Sequence, residues 1–182
     1  RRLDSLIKAG LHTITISLDG FEEQHYHIRQ NKDSFARAVE AVRMVSADKE
    51  LVSDVVTCVT PALLPRLEEF KEFLYSLGVR HWRLFTIFPV GRAATDPSLQ
   101  LNDEEFTFVM QFIERCRKEG RVMASYGCEG FLGGYEMRAR QNPFECHAGV
   151  GVASIRVNGD ISGCTSVRAN FTQGNIYKDN FW

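Results

Sequence analysis

The sequence lacks any run approaching the roughly 18 consecutive apolar residues of a membrane-spanning helix, and its N-terminus lacks the charged-then-apolar order of a secretory signal. It also lacks a surplus of either charge. Lysine and arginine number 22 against 23 acidic residues, so the basic excess that nucleic acid or an anionic membrane demands is missing. There is no Cys-x-x-Cys pair and no even set of cysteines: the five are Cys58, Cys116, Cys128, Cys146 and Cys164. An odd count without a secretory signal argues against a disulfide framework. These absences predict a cytoplasmic globular protein that works on a small molecule or another protein, with no nucleic-acid and no membrane partner. At 182 residues, 44% of them hydrophobic, the chain can bury one substantial core, or one core and a small appendage.

What is present is an alternation of strand and helix patterns. Arg1 is not a methionine, and Leu3, Leu6 and Ile7 read as the last turns of an amphipathic helix ending at Gly10, so an internal piece of a longer protein is expected. From His12 to Asp19, Thr13, Thr15, Ser17 and Asp19 alternate with Ile14, Ile16 and Leu18, the period of a strand with one polar face. Phe35, Val39, Val42 and Val45 then mark a helix, and Val52 to Pro61 is a β-branched strand. The pattern repeats, with a helical stripe from Leu67 to Leu77 that stops at Gly78 and a strand through Trp82, Leu84 and Phe85. Asn102, with Glu105 three residues on, predicts an N-cap for a helix carrying Phe106, Val109, Ile113 and Cys116, and Arg121 to Tyr126 predicts a fourth strand.

Such an order implies an α/β fold with a parallel sheet and right-handed crossovers, either open or part of a closed barrel. Strands covered by helices on both faces are apolar throughout, whereas barrel strands can aim polar groups into a lumen. The polar face of the first strand therefore favours a partial (β/α) barrel over residues 1–126. Residues 127–182 change character to glycines, aromatics and three cysteines, and read as a second, small unit. Within it Val152 to Val157 and Asp160 to Cys164 flank Asn158-Gly159, which predicts a tight hairpin.

Several residues can carry chemistry. Cys128, Cys146 and Cys164 fall together in the glycine-rich unit and read either as thiolate ligands of zinc or an iron–sulfur cluster, or as free buried cysteines. Cys58 and Cys116 read as core. Asp19 ends a strand, where α/β proteins place functional groups, and with Ser17 it can hold a ribose, although an Asp-Gly after a strand is more often simply a turn. His25 and His27, with no evident carboxylate partner, read as a solvated loop. Arg29 is a carboxylate clamp or plain surface. Pro89-Val90-Gly91-Arg92-Ala93 is an anion-contacting loop or a plain one. The glycines from Gly127 to Gly134 lack the lysine and following helix of a phosphate-binding loop.

Ile16-Ser17-Leu18-Asp19-Gly20 with His25 and Arg29 resembles the fourth barrel strand and its loop in radical S-adenosylmethionine enzymes. Phe88-Pro89-Val90-Gly91-Arg92-Ala93 is similar to the end of their sixth strand. Cys146-His147-Ala148-Gly149, Ser154 to Asp160, Cys164 and Gly174-Asn175-Ile176 resemble the SPASM extension of that superfamily. The resemblance implies that Ser17 and Asp19 lie near the ribose of adenosylmethionine and Arg29 near its carboxylate. It also implies that Cys146 and Cys164, with Cys128 as a third, bind an auxiliary [4Fe–4S] cluster. The complete protein is then expected to generate a 5′-deoxyadenosyl radical and to act on a peptide or protein.

The family's Cys-x-x-x-Cys-x-x-Cys loop precedes the position matched by Arg1, so the chain alone is expected to be inactive and to self-associate through exposed sheet edges. The rival expectation is a zinc-stabilised binding module using the same thiols and a histidine such as His147.

Overall fold

A computed structural model of the chain describes residues 2–127, 130–166 and 171–180. These form two compact units, one of residues 1–127 and 132–142, the other of residues 128–131 and 143–182. The segment Leu132–Asn142 thus returns to the first unit.

The first unit begins with helix α1 (Arg2–Lys8), strand β1 (Thr13–Ser17), helices α2 (Glu22–Arg29) and α3 (Ser34–Ala47), and strand β2 (Val52–Cys58). Helix α4 (Leu67–Ser76), strand β3 (His81–Phe85), helix α5 (Asp103–Glu119), strand β4 (Met123–Tyr126) and the short α6 (Glu136–Ala139) follow. The strands pair in sequence order, β1-β2-β3-β4, and all pairs are parallel. The α/β class and the parallel sheet expected from the alternation are therefore present.

Register sorts the side chains cleanly. Ile14 opposes Ser53, Ile16 opposes Val55, Val55 opposes Trp82 and Trp82 opposes Ala124, so these residues share one face. Against that face pack Val39 and Val42 of α3, Phe70 and Leu74 of α4, and Phe112 and Ile113 of α5, all in one core. Trp82, fully buried, meets Phe70 and Phe112 edge-on at centroid distances of 5.8 Å each.

The other face carries Thr13, Thr15, Ser17, Asp54, Cys58, Arg83, Phe85 and Ser125 by the same register. It is polar in its middle. The Thr15 hydroxyl donates to Asp54 Oδ1 at 2.6 Å, Arg83 donates from Nε to Asp54 Oδ2, and Arg83 Nη2 donates to Thr15 at 3.0 Å. This ladder crosses three strands. A concavity of about 570 Å³ lies over it, bordered also by Ser125, Arg140 and Asn142.

At the sheet's outer edge, Arg117 donates to the carbonyl of Ala124 at 3.0 Å, and Arg140 donates to those of Tyr126 and Gly127 at 3.4 and 2.7 Å. Side chains thus occupy acceptors that another strand would otherwise use. Of the two edge strands, β4 is blunted in this way.

Helix α5 starts as its sequence predicts. Asn102 accepts from the Glu105 N–H and Glu105 accepts from the Asn102 N–H, both at 2.9 Å, a reciprocal capping box. The second unit holds a small antiparallel sheet of β5 (Ser154–Ile155), β6 (Asp160–Ser162) and β7 (Gly174–Asn175). The expected hairpin is there, with the Gly159 N–H bonded to the Arg156 carbonyl at 2.9 Å. Gly159 has φ +87°, the left-handed region that favours glycine, and a Cβ on it would also displace the Tyr177 ring 2.5 Å away.

Candidate functional site

The chemistry-bearing side chains of the first unit gather where β1 ends. Past Ser17 the strand pairing continues through the Leu18 N–H to the Val56 carbonyl at 2.9 Å. The chain then turns at Gly20, whose φ is +113° and whose Cβ would lie 2.9 Å from Gln24. Asp19-Gly20 is therefore a turn, and Asp19 sits in it as an interior group. Its side chain is 0% exposed; Oδ1 accepts from the Cys58 N–H at 2.9 Å and Oδ2 accepts from Arg29 Nε at 2.6 Å. One carboxylate thus ties the end of β1 to the end of β2 and holds an arginine two helical turns away.

Helix α2 supplies that arginine and a histidine. The reading of His25 as a solvated loop residue is corrected: it is 2% exposed, on a helix, with its ring 6.0 Å from that of Phe35. Its Nδ1 accepts the Asp19 N–H at 3.1 Å and lies 3.8 Å from Asp19 Oδ2. An accepting Nδ1 fixes the neutral tautomer with its proton on Nε2. Burial lowers the imidazole's pKa from its usual 6.5, opposed by the Asp19 carboxylate and assisted by the Arg29 cation.

His27 is also placed differently from expectation, since its Nε2 lies 3.3 Å from Asp96 Oδ2. The loop after β3 reaches the same helix, with Arg92 Nη2 donating to the Ile28 carbonyl at 3.4 Å. The structure therefore brings Asp19 and Arg29 into direct contact and leaves Ser17 half-buried on the polar sheet face. Arg29 remains 38% exposed, and neither of its Nη groups donates to a described residue.

The cysteines divide by environment. Cys116 is 1% exposed within the core, and burial pushes its thiol up to about 12. Cys58 is corrected from core to half-buried, because register puts it on the polar face beside Phe85. In the second unit Cys146 is exposed and Cys164 half-buried. The Ser166 N–H, 3.4 Å from Cys164 Sγ, lowers that thiol's pKa. Cys128 lies outside the described residues. Among the described residues no three metal-ligating side chains converge, and no helix is long and apolar enough to cross a membrane.

These environments predict an order of reactivity. Alkylation at neutral pH followed by mass spectrometry is expected to modify Cys146 and Cys164 in the folded protein and to leave Cys116 untouched until denaturant is added. Equal labelling of Cys116 and Cys146 without denaturant would contradict the burial described.

Comparison of the sequence with protein-family models gives no match. Comparison with curated proteins gives none either.

Proposed function

We propose that the chain is part of a radical S-adenosylmethionine enzyme with a SPASM-type extension, acting in the cytoplasm on a peptide or protein. The observation that carries the reading is the two-sided sheet. Its helices pack on one face, its other face carries the Thr15–Asp54–Arg83 ladder, and Ser17, Asp19 and Arg29 collect at the carboxyl end of β1. A sheet covered on one side and polar on the other suits the wall of an open barrel lined for a charged cofactor. The blunted β4 edge agrees with a barrel left open there, so further strands would add at β1.

The residues fit the implied groups unevenly. The half-buried Ser17 hydroxyl and the exposed Arg29 guanidinium suit a ribose and a carboxylate. The Cys146 and Cys164 thiols are accessible, and a lowered pKa at Cys164 suits a thiolate donor. When bound, a reduced cluster with adenosylmethionine supplies the 5′-deoxyadenosyl radical. What this chain contributes is orientation: Arg29 holds an anionic end of the ligand, Ser17 a hydroxyl, and the sheet face a polar wall.

Anaerobic reconstitution of the full natural chain with iron and sulfide tests the reading. Brown protein containing acid-labile sulfide, with less iron after Cys146→Ser or Cys164→Ser, is expected. Stoichiometric zinc without sulfide would overturn it in favour of a zinc-stabilised binding module.

A further inference from the structure

The carboxylate most exposed to a functional reading is the one least able to touch a ligand. Asp19 has no accessible surface, and both of its oxygens are committed, one to the Cys58 N–H and one to Arg29 Nε. A ribose hydroxyl would have to displace a charge-assisted bond of 2.6 Å inside a closed turn. We infer that Asp19 is a positioning residue, held at its main chain by His25, that fixes the Arg29 guanidinium by Nε and leaves only the outer Nη groups of Arg29 to meet a carboxylate.

Each part of the arrangement is needed for that outcome. A free arginine side chain samples many rotamers, and immobilising it on binding costs conformational entropy. Asp19 removes that cost beforehand by gripping Nε, the one nitrogen not on the forked end. The fork then faces out, and a carboxylate can take both Nη groups side by side. Asp19 in turn needs its own place fixed. The Cys58 N–H locates its side chain and His25 Nδ1 locates its backbone, which requires the neutral imidazole that burial favours. Protonation of Nδ1 would remove the acceptor from the Asp19 N–H and place a cation beside Arg29. The charged groups facing His25 are Asp19 and Arg29.

The inference rests on the adenosylmethionine reading only for which carboxylate binds, so the test uses acetate and the chain itself. Nitrogen-15 NMR is expected to show His25 Nδ1 unprotonated and the Arg29 Nε–H exchanging at least tenfold more slowly than in Asp19→Asn. Acetate is expected to shift the Arg29 signals, and its affinity is expected to fall several-fold in Asp19→Asn and in His25→Gln. His25→Asn, whose side-chain oxygen can stand where Nδ1 does, is expected to restore both readouts, which a general loss of stability would not allow. On acidification the Asp19 amide and Arg29 Nε–H signals are expected to move together, with a midpoint below 6.5.

Unchanged Nε–H exchange in Asp19→Asn, or loss of acetate binding in His25→Asn equal to that in His25→Gln, overturns the positioning role. If both readouts behave as expected while the full natural chain fails to bind adenosylmethionine, the positioning stands and the family reading fails.

Discussion

Replacing Arg140 by methionine is expected to lower the stability of the first unit by about 3–5 kcal/mol, the cost of removing one member of a buried ion pair. Arg140 and Glu136 are 7% and 5% exposed, and Arg140 Nη1 donates to the two Glu136 oxygens at 2.8 and 3.1 Å. Its other nitrogens donate to the Tyr126 and Gly127 carbonyls at the end of β4. Methionine keeps the bulk and removes every donor. The Glu136 carboxylate, which also accepts the Leu132 N–H at 2.8 Å, would stay buried without this counter-charge.

Urea unfolding followed by tryptophan fluorescence measures the loss. A change below about 1 kcal/mol would mean that the pair behaves as an exposed one. Pairing Arg140→Met with Glu136→Gln is expected to recover part of the loss, because the charge that lost this counter-ion goes and only the carbonyls lose this donor. The consequence reaches beyond stability. Arg140 also holds the Gly127 carbonyl, so it fixes the end of β4.

Much of this fold was legible because its signals are local and periodic. The alternation from Thr13 to Ser17, the capping box at Asn102 and Glu105, and the glycine of the Asn158-Gly159 turn each act within a few residues, and each stands where the sequence put it. Helix α2 was missed because its inward residues are Phe21 and His25, and a histidine standing at the apolar position breaks the count that reveals a helix. The spacing of four between Phe21 and His25 was the available signal. Cys58 was misplaced for a related reason. In a β-branched run both faces look apolar, and only pairing with Phe85 shows which one a residue takes.

The site itself was half legible. Asp19 and Arg29 were singled out by position, side-chain chemistry and resemblance, but their contact spans ten residues through a turn and a helix, and nothing in the spacing of the letters shows that Asp19 is sealed. The Thr15–Asp54–Arg83 ladder joins residues up to 68 positions apart, which sequence periodicity cannot pair. Its trace in the sequence was the presence of an acid and an arginine inside two strands whose neighbours are apolar. The spacing of Glu136 and Arg140, four apart, was the visible trace of the Arg140 network; its reach to the β4 carbonyls was not, because the arginine comes from the end of the short α6.

Trp82 Nε1 donates to Thr57 Oγ1 at 2.8 Å, and that hydroxyl donates in turn to the Leu18 carbonyl at 2.6 Å, one residue before Asp19. All three residues are fully buried. Trp82→Ala is expected to cost about 3–5 kcal/mol through lost burial and the cavity left against Phe70 and Phe112. Thr57→Val, nearly the same shape, leaves a buried indole N–H and a buried carbonyl without this partner, at about 1–3 kcal/mol for each.

Because one hydroxyl serves both neighbours, the double variant Trp82→Phe with Thr57→Val is expected to lose less than the two single variants together. Additive losses in urea unfolding would show that the relay does not operate as a unit. If it does, Thr57→Val also speeds hydrogen exchange at the Asp19 amide, since the carbonyl anchoring the strand end is then released. The core would in that case set the geometry of the Arg29 site through two hydrogen bonds, which is why a site at the end of one strand depends on a tryptophan two strands away.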